Sequence, residues 1–173
     1  RQAGYKPEEM PRFFENLHQR FASIPGVRHA TATNYAMVSN SMNSTMLTVL
    51  GYTGNDTSCA MLDVASNFFE TMQIPILLGR PIGTRDIAGA ARVAVVNEVF
   101  AKRFFPEQNP VGRRFIQGRA PNTREYEIVG VARNTRYNSL KGEVPAVAYQ
   151  PYTHDPQAIG SLTFELRAAG DPK

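Results

Sequence analysis

Three histidines, one cysteine and a mid-strand carboxylate are the residues of this chain with chemistry to offer beyond packing. His18, His29 and His154 could ligate a metal or move protons. They share no ligand spacing, however, no HExxH pattern contains them, and Cys59 has no second cysteine with which to form a CxxC site or a disulfide. In "SCAMLDVA" an alternating pattern puts Cys59, Met61 and Asp63 on one strand face. Cys59 there is expected to be an inert, half-buried thiol. Asp63 could be a buried carboxylate, but a solvated or hydrogen-bonded strand end is the preferred reading. No GxSxG elbow is present. Gly51 with Gly54, and Gly79 with Gly83, match neither the dinucleotide fingerprint nor the P-loop and are read as turn residues. The expectation is therefore no catalytic residue, no metal and no cofactor.

The densest stretch, "ARVAVVNEVFAKRFFPEQNPVGRRF" (91–115), admits three readings: an anion site, a catalytic strand-loop-helix or a packed unit. A strand running into a helix N-terminus can hold phosphate, but such sites use glycines for close approach, and here Glu98 would occupy the anion's place. Asn97 suits an N-cap, with Glu98 in the first turn against the positive end of the helix dipole. Phe100, Ala101, Phe104 and Phe105 would form an apolar face, with Lys102 and Arg103 turned outward near the C-terminus. Basic residues from Lys102 to Arg124 alternate with Phe104, Phe105, Phe115 and Tyr126, a pattern that could stack on single-stranded nucleic acid. Because those rings fall on inferred core faces, packing is the expected role, with no nucleic-acid partner.

Around this unit the other elements can be placed. Met10, Phe14, Leu17, Phe21 and Ile24 make one apolar stripe on a helix, which Pro7 and Pro11 confine to residues after about Arg12 or break in its first turn, and which Pro25-Gly26 stops. "VRHATATNYAMV" reads as a strand with one weakly polar face, "SNSMNS" as a loop, and "MLTVLGY" and "SCAMLDVA" as strands joined by the turn "TGNDT". "FFETM" suits a short helix capped by Ser66 or Asn67, with Glu70 completing a capping box, and "IPILLGRPIGTRDIAGAA" leaves through turns. After the helix at about 97–105 come the turn "PEQNPVG", a short strand "RRFI", the strand "YEIVGVARN", the loop "NSLKGEVP" and two strands in "AVAYQPY" and "SLTFELRAAG".

At 173 residues the chain can bury one ample core or two small ones. A net charge of +4 permits anionic partners but, being scattered, mainly serves solubility. No run of 18 apolar residues occurs, and the start at Arg1 suggests a piece of a longer chain. One cysteine suits either the cytoplasm or a bacterial periplasm. The Asn-x-Thr triplets at Asn43 and Asn55 lie in expected loops and carry meaning only in a secreted eukaryotic chain.

Three segments in order, "VASNFFETMQIPILLGRPI" (64–82), "RVAVVNEVFAKRFFPEQNPVGRRF" (92–115) and "YEIVGVARNTRYNSL" (126–140), resemble the extracytoplasmic core domain of MacB/FtsX-type ABC-transporter permeases. The resemblance implies an α+β fold of two small α/β subdomains. One is porter-like, residues 1–80 and 145–173, truncated at its C-terminus; the other is an inserted Sabre-like part, residues 81–144. It further implies a non-catalytic domain between two transmembrane helices of a bacterial inner-membrane permease, coupling cytoplasmic ATP hydrolysis to cargo or partner handling in the periplasm. Its partners would be the transmembrane part of the same permease, the ATPase domain indirectly, and a periplasmic adaptor or lipoprotein. Docking would fall on the polar loops "SNSMNS" and "GRAPNTRE", at the end away from the membrane, because loops on rigid scaffolds carry recognition. A stand-alone ligand-sensing module, with a closed apolar pocket and convergent polar groups, is the alternative.

Overall fold

The computed structural model describes residues 9–36, 38–39, 42–86, 89–136, 141–155 and 159–170. Within them lie α1 (Met10–Ala22), β1 (Val27–Thr33), β2 (Ser44–Val49), β3 (Ser58–Val64), α2 (Phe68–Thr71), β4 (Ile76–Gly79), β5 (Val93–Asn97), α3 (Glu98–Phe104), β6 (Arg114–Gln117), β7 (Arg124–Ala132), β8 (Val147–Pro151) and β9 (Thr163–Ala168). No helix among the described residues is long and apolar enough to cross a membrane. Pro7, part of "SNSMNS" and part of the 138–145 loop lie outside the described residues.

One mixed sheet of nine strands organises the chain. Its central feature is a closed circuit. β2 pairs antiparallel with β3 through Ser44–Met46 and with β6 through Leu47–Val49, so that β2, β6, β7, β5, β8 and β3 return on themselves. Closure removes edges that would otherwise expose unpaired N–H and C=O groups. Along each strand, alternate residues serve different cores. Leu47, Cys59, Met61, Ala94, Val96, Phe115, Tyr126, Ile128 and Ala148 share one cluster with Phe100 and Phe104 of α3. Their neighbours Ala60, Leu62, Val64, Val93, Val95, Val129, Val147 and Tyr149 pack on Phe68 and Phe69 of α2. β5 and β8 are buried at every residue because both of their faces are covered.

Outside this ring, β1 touches β3 at a single register pair, Thr33 with Val64, and otherwise pairs with β9. α1 covers this extension, Met10 and Phe14 packing with Ala32, Ala65, Tyr152 and Ile159.

Several local expectations need correction. Pro11 does not delay the first helix: it stands at the start of α1, where its missing N–H would have no helical partner anyway. The apolar stripe stops short of Ile24, which is exposed beyond the helix. The weakly polar face of β1 is turned inward at its end, where Thr31 and Thr33 are fully buried. Residues 76–79, expected as turn, form β4 against β7. There Gly79, at φ +70°, faces Gly130 in register. A Cβ on Gly79 would collide with the Val129 carbonyl, and one on Gly130 with the Arg80 carbonyl. Gly79 is thus a close-approach residue of a strand, and the glycines of "LLGR" and "IVGV" meet in space.

Candidate functional site

Among the described residues no group of three or more His, Cys, Asp and Glu could hold a metal. The three histidines are dispersed: His18 on α1, His29 in β1 and His154 in a 3-10 turn after β8. Cys59 is buried and free, and desolvation pushes its thiol up to about 12, leaving no thiolate to react. Asp63 accepts hydrogen bonds from Asn34 Nδ2 at 2.8 Å and Gln150 Nε2 at 2.6 Å, so it is the hydrogen-bonded strand end. Burial raises its pKa despite those bonds.

The 91–115 stretch is a packed unit with an unusually well-braced junction. Asn97 is fully buried; its Oδ1 accepts from Phe100 N–H at 2.9 Å, the N-cap bond, and also from Val147 N–H at 3.0 Å. Its Nδ2 donates to the Pro145 carbonyl at 2.8 Å. Glu98 accepts from Asn134 N–H at 2.9 Å while Asn134 Oδ1 accepts from Val99 N–H at 3.1 Å. The start of α3 is therefore filled by the chain's own groups. Phe104, Phe105, Phe115 and Tyr126 are all buried, as core packing requires and a stacking platform forbids. Arg103 differs from expectation. Rather than pointing freely outward, it donates to the Ser58 carbonyl at 3.1 Å and pairs with Asp56 at 2.8 Å. α3 thereby ties together the 50–57 turn and the segments flanking the β7–β8 loop. At the tip of that turn Leu50 is 97% exposed.

Register places the loops. The 50–57 turn joins β2 to β3 at the end of that pair opposite Val64, where β1 departs. "SNSMNS" precedes β2 and "GRAPNTRE" follows β6, whose Gln117 pairs with Leu47; Met42 and Ser44 of the first share a cleft with Arg103 and Pro145, beside the braced segments. The two loops do meet: Ser44, Thr45, Met46, Ser58, Gly118 and Arg119 line one cleft of about 410 Å³. The end farthest from β1 and β9, however, is the braced one carrying α3 and Leu50.

Two features had little sequence signal. At the mouth of the ring, Asp63 and Gln150 stand near the Arg124–Asp155 ion pair, and Arg92 lies over the Tyr126 ring at 6.0 Å. These residues continue the inward face of their strands, and only their polar types at strand ends hint at a crown. The second feature is Asp86, which accepts from Arg80 Nη1 at 2.6 Å, from Nη2 at 2.9 Å and from Gly83 N–H at 2.9 Å. "GRPIGTRD" could have suggested this bidentate clamp. Asn67 stands at the N-cap of α2 as expected but makes no capping bond; its Nδ2 donates to the Ala30 carbonyl at 2.6 Å instead.

The family model of the MacB-like periplasmic core domain matches residues 3–172. The chain belongs to that family. No curated protein matches it. Its fold is similar to the periplasmic region of MacB from Actinobacillus actinomycetemcomitans, with a TM-score of 0.64 at 17% identity over 92% of this chain and 66% of that one. It is also similar to the extracellular domain of the noncanonic ABC-type transporter YknZ from Gram-positive bacteria, with a TM-score of 0.63 at 16% identity over 90% of this chain and 73% of that one. The chain thus spans just under two thirds of the MacB periplasmic region. It is an extracytoplasmic domain of a MacB-like ABC-transporter permease, mixed α+β in architecture.

Proposed function

We propose that this domain is a non-catalytic mechanical and docking element of an inner-membrane permease, passing motion from cytoplasmic ATP hydrolysis to a partner or cargo in the periplasm. The ATPase domain would act on it indirectly, through the transmembrane part of the same permease, and the docked partner would be a periplasmic adaptor or lipoprotein. The observation that carries this reading is the braced end. Asn97, Glu98, Asn134 and Arg103 fix α3, the 50–57 turn and the segments around the β7–β8 loop by side-chain bonds to backbone, which makes that end a stiff platform with an exposed apolar tip at Leu50. This centres the docking surface on the 50–57 turn, which neighbours "SNSMNS" and "GRAPNTRE" through Ser58, rather than on those loops themselves. The division into residues 1–80 with 145–173 and residues 81–144 belongs to the same proposal. Its boundaries cross the β2–β6, β4–β7 and β5–β8 pairings, so the two parts would move largely as one body.

The test uses the full-length permease carrying Leu50→Asp, with a Ser44→Asp/Arg119→Glu pair as the alternative surface. Loss of the transport-linked phenotype for Leu50→Asp, with ATPase activity retained, is the expected result. Unchanged transport for Leu50→Asp, with loss in the second variant, would return docking to the polar loops; loss in neither would defeat the docking reading.

A further inference from the structure

His154 stands in the 3-10 turn Tyr152–His154, directly after β8, and is buried. Neither its Nδ1 nor its Nε2 has a hydrogen-bond partner among the described residues. A neutral imidazole carries one donor and one acceptor, so both go unmet here. An imidazolium would leave two donors unmet and bury a charge besides.

The surrounding charges do not favour that cation. Arg92, at the entry to β5, acts on His154 as a like charge, and Arg92 Nη1 is itself buried without a partner. Asp86, from the 80–86 segment, attracts, but its carboxylate already accepts from Arg80 Nη1, Arg80 Nη2 and the Gly83 N–H. Asp155, next in the chain, is ion-paired with Arg124 of β7. Burial first, and then the charge of Arg92, hold the His154 pKa below its ordinary value against the pull of Asp86.

The same turn is a joint between the strand ring and the α1–β1–β9 extension. Pro151, just before it, ends β8 in register with Val64 of β3. Tyr152 packs with Met10 and Phe14 of α1 and with Ile159, and its hydroxyl lies 3.4 Å from Glu15. Asp155, just after it, holds Arg124 at the mouth of the ring. Tyr152 and Thr153 line the cleft of about 400 Å³ beside α1, so the turn borders solvent. A proton on His154 is accommodated by bringing the imidazole out to water, and a turn of three residues cannot do that without loosening the anchors on either side.

We propose that His154 is an acid-sensitive latch between the ring and the extension: neutral, it lets the 152–154 turn seat Tyr152 and Asp155; protonated, it releases them and the extension opens. An extracytoplasmic domain lies outside the buffered cytoplasm, where such a latch meets changes of acidity. The latch stands apart from the docking surface at Leu50. Because folding favours the neutral form, the stability of the closed turn is whole above the ordinary histidine value of about 6.5 and is lost as pH falls from there through the folded value. Across that interval opening grows by up to about tenfold for each pH unit.

The experiment is an NMR titration of this chain from about pH 7.5 to about pH 5, a range in which exposed carboxylates stay ionised. It follows the His154 imidazole resonances together with amide-exchange protection in the 152–155 turn, β9 and β5. The expected result is a His154 midpoint below about 6.5, with protection of the turn and of β9 falling together while Val95 and Val96 keep theirs. His154→Phe, which fills the site without ionising, should lose that acid dependence. Arg92→Gln, which removes the like charge, should raise the His154 midpoint and shrink the acid loss. If His154→Phe does not fold, the wild-type titration and Arg92→Gln decide. A His154 midpoint at or above about 6.5, an unchanged midpoint in Arg92→Gln, or equal acid loss in the wild type and His154→Phe would overturn the proposal.

Discussion

The strand ring and the α1–β1–β9 extension are built from elements of similar length, yet they hold together by different means. In the ring every strand has neighbours on both sides and α3 inserts Phe100 and Phe104 into its interior cluster. The extension shares one strand register pair with it, helped by the Asn34–Asp63 and Asn67–Ala30 hydrogen bonds, and β9 is half-buried along most of its length, with Leu166 44% exposed. Closure and two-sided burial concentrate stability in the ring; the extension relies on a single layer of α1 side chains. Local opening should therefore begin in the extension, where fewer apolar contacts resist it.

The sharpest way to break this comparison is to truncate one phenylalanine in each region. Phe104 is buried and its ring lies 4.6 Å from that of Phe100 and 4.8 Å from that of Tyr52. Phe104→Ala should cost about 3–4 kcal/mol through lost transfer energy and a residual cavity. Phe164 meets Phe21 at 4.9 Å but stays half-exposed, so Phe164→Ala should cost about half as much. Urea midpoints measure both, and equal losses would mean that the extension is as tightly built as the ring.

A second pair sharpens the same contrast with glycines. Gly130→Ala in β7 drives a methyl into the Arg80 carbonyl, in a place where two strands cannot separate without breaking the sheet; about 2 kcal/mol is expected from overpacking. Gly26, which leads into β1 at φ +89°, has nothing within 4 Å of an added Cβ. Gly26→Ala should cost only the strain of the left-handed conformation, about 1 kcal/mol. Near 1 kcal/mol also belongs to Arg103→Ala, which gives up a partly exposed ion pair and one carbonyl bond. Its signature would be faster amide exchange in the 50–57 turn with little change elsewhere.

What could be read in the sequence was local. Asn97 with Glu98 and the Phe100, Phe104, Phe105 spacing specify β5 and α3 within a dozen residues, and the Met10–Phe21 stripe specifies α1. The three ordered segments carried the family. Ring closure was not legible, because β2 must meet β6 across more than sixty intervening residues and no turn chemistry announces it. β4 escaped because three of its four residues are exposed, including Leu77 and Leu78, so it shows no alternation. Asn67 was placed correctly and bonded wrongly: the Ala30 carbonyl, distant in sequence, outcompeted the helix N–H groups.

The smallest expected effect distinguishes two carboxylates by the sign of their pH response. For Asp63, in the ring mouth, burial and the nearby charge of Asp155 outweigh the bonds from Gln150 and Asn34 and the charge of Arg124, and its pKa is raised. A raised folded-state pKa means that the protonated form is favoured by folding. Its contribution is fully present below the unfolded carboxylate value, about 3.9, and is lost as pH rises through the folded value. For Asp86, in the 80–86 segment, burial alone would raise the pKa, but the Arg80 hydrogen bonds, the Gly83 N–H and the charge of Arg80 hold it below the usual value. Its contribution is present above the unfolded value and is lost as pH falls through the folded one. Asp63→Asn should consequently gain on the wild type as pH rises from about 3.5 to 7. In the variant, the new amide can donate to Gln150 Oε1, which has no partner among the described residues. Asp86→Asn should fall behind the wild type over the same range, because the Arg80 clamp loses its charge when the partner needs it most. Urea midpoints of the three proteins across that range would show two difference curves of opposite slope, and parallel curves would mean that the polar crown of the ring is as well compensated as the Arg80–Asp86 clamp.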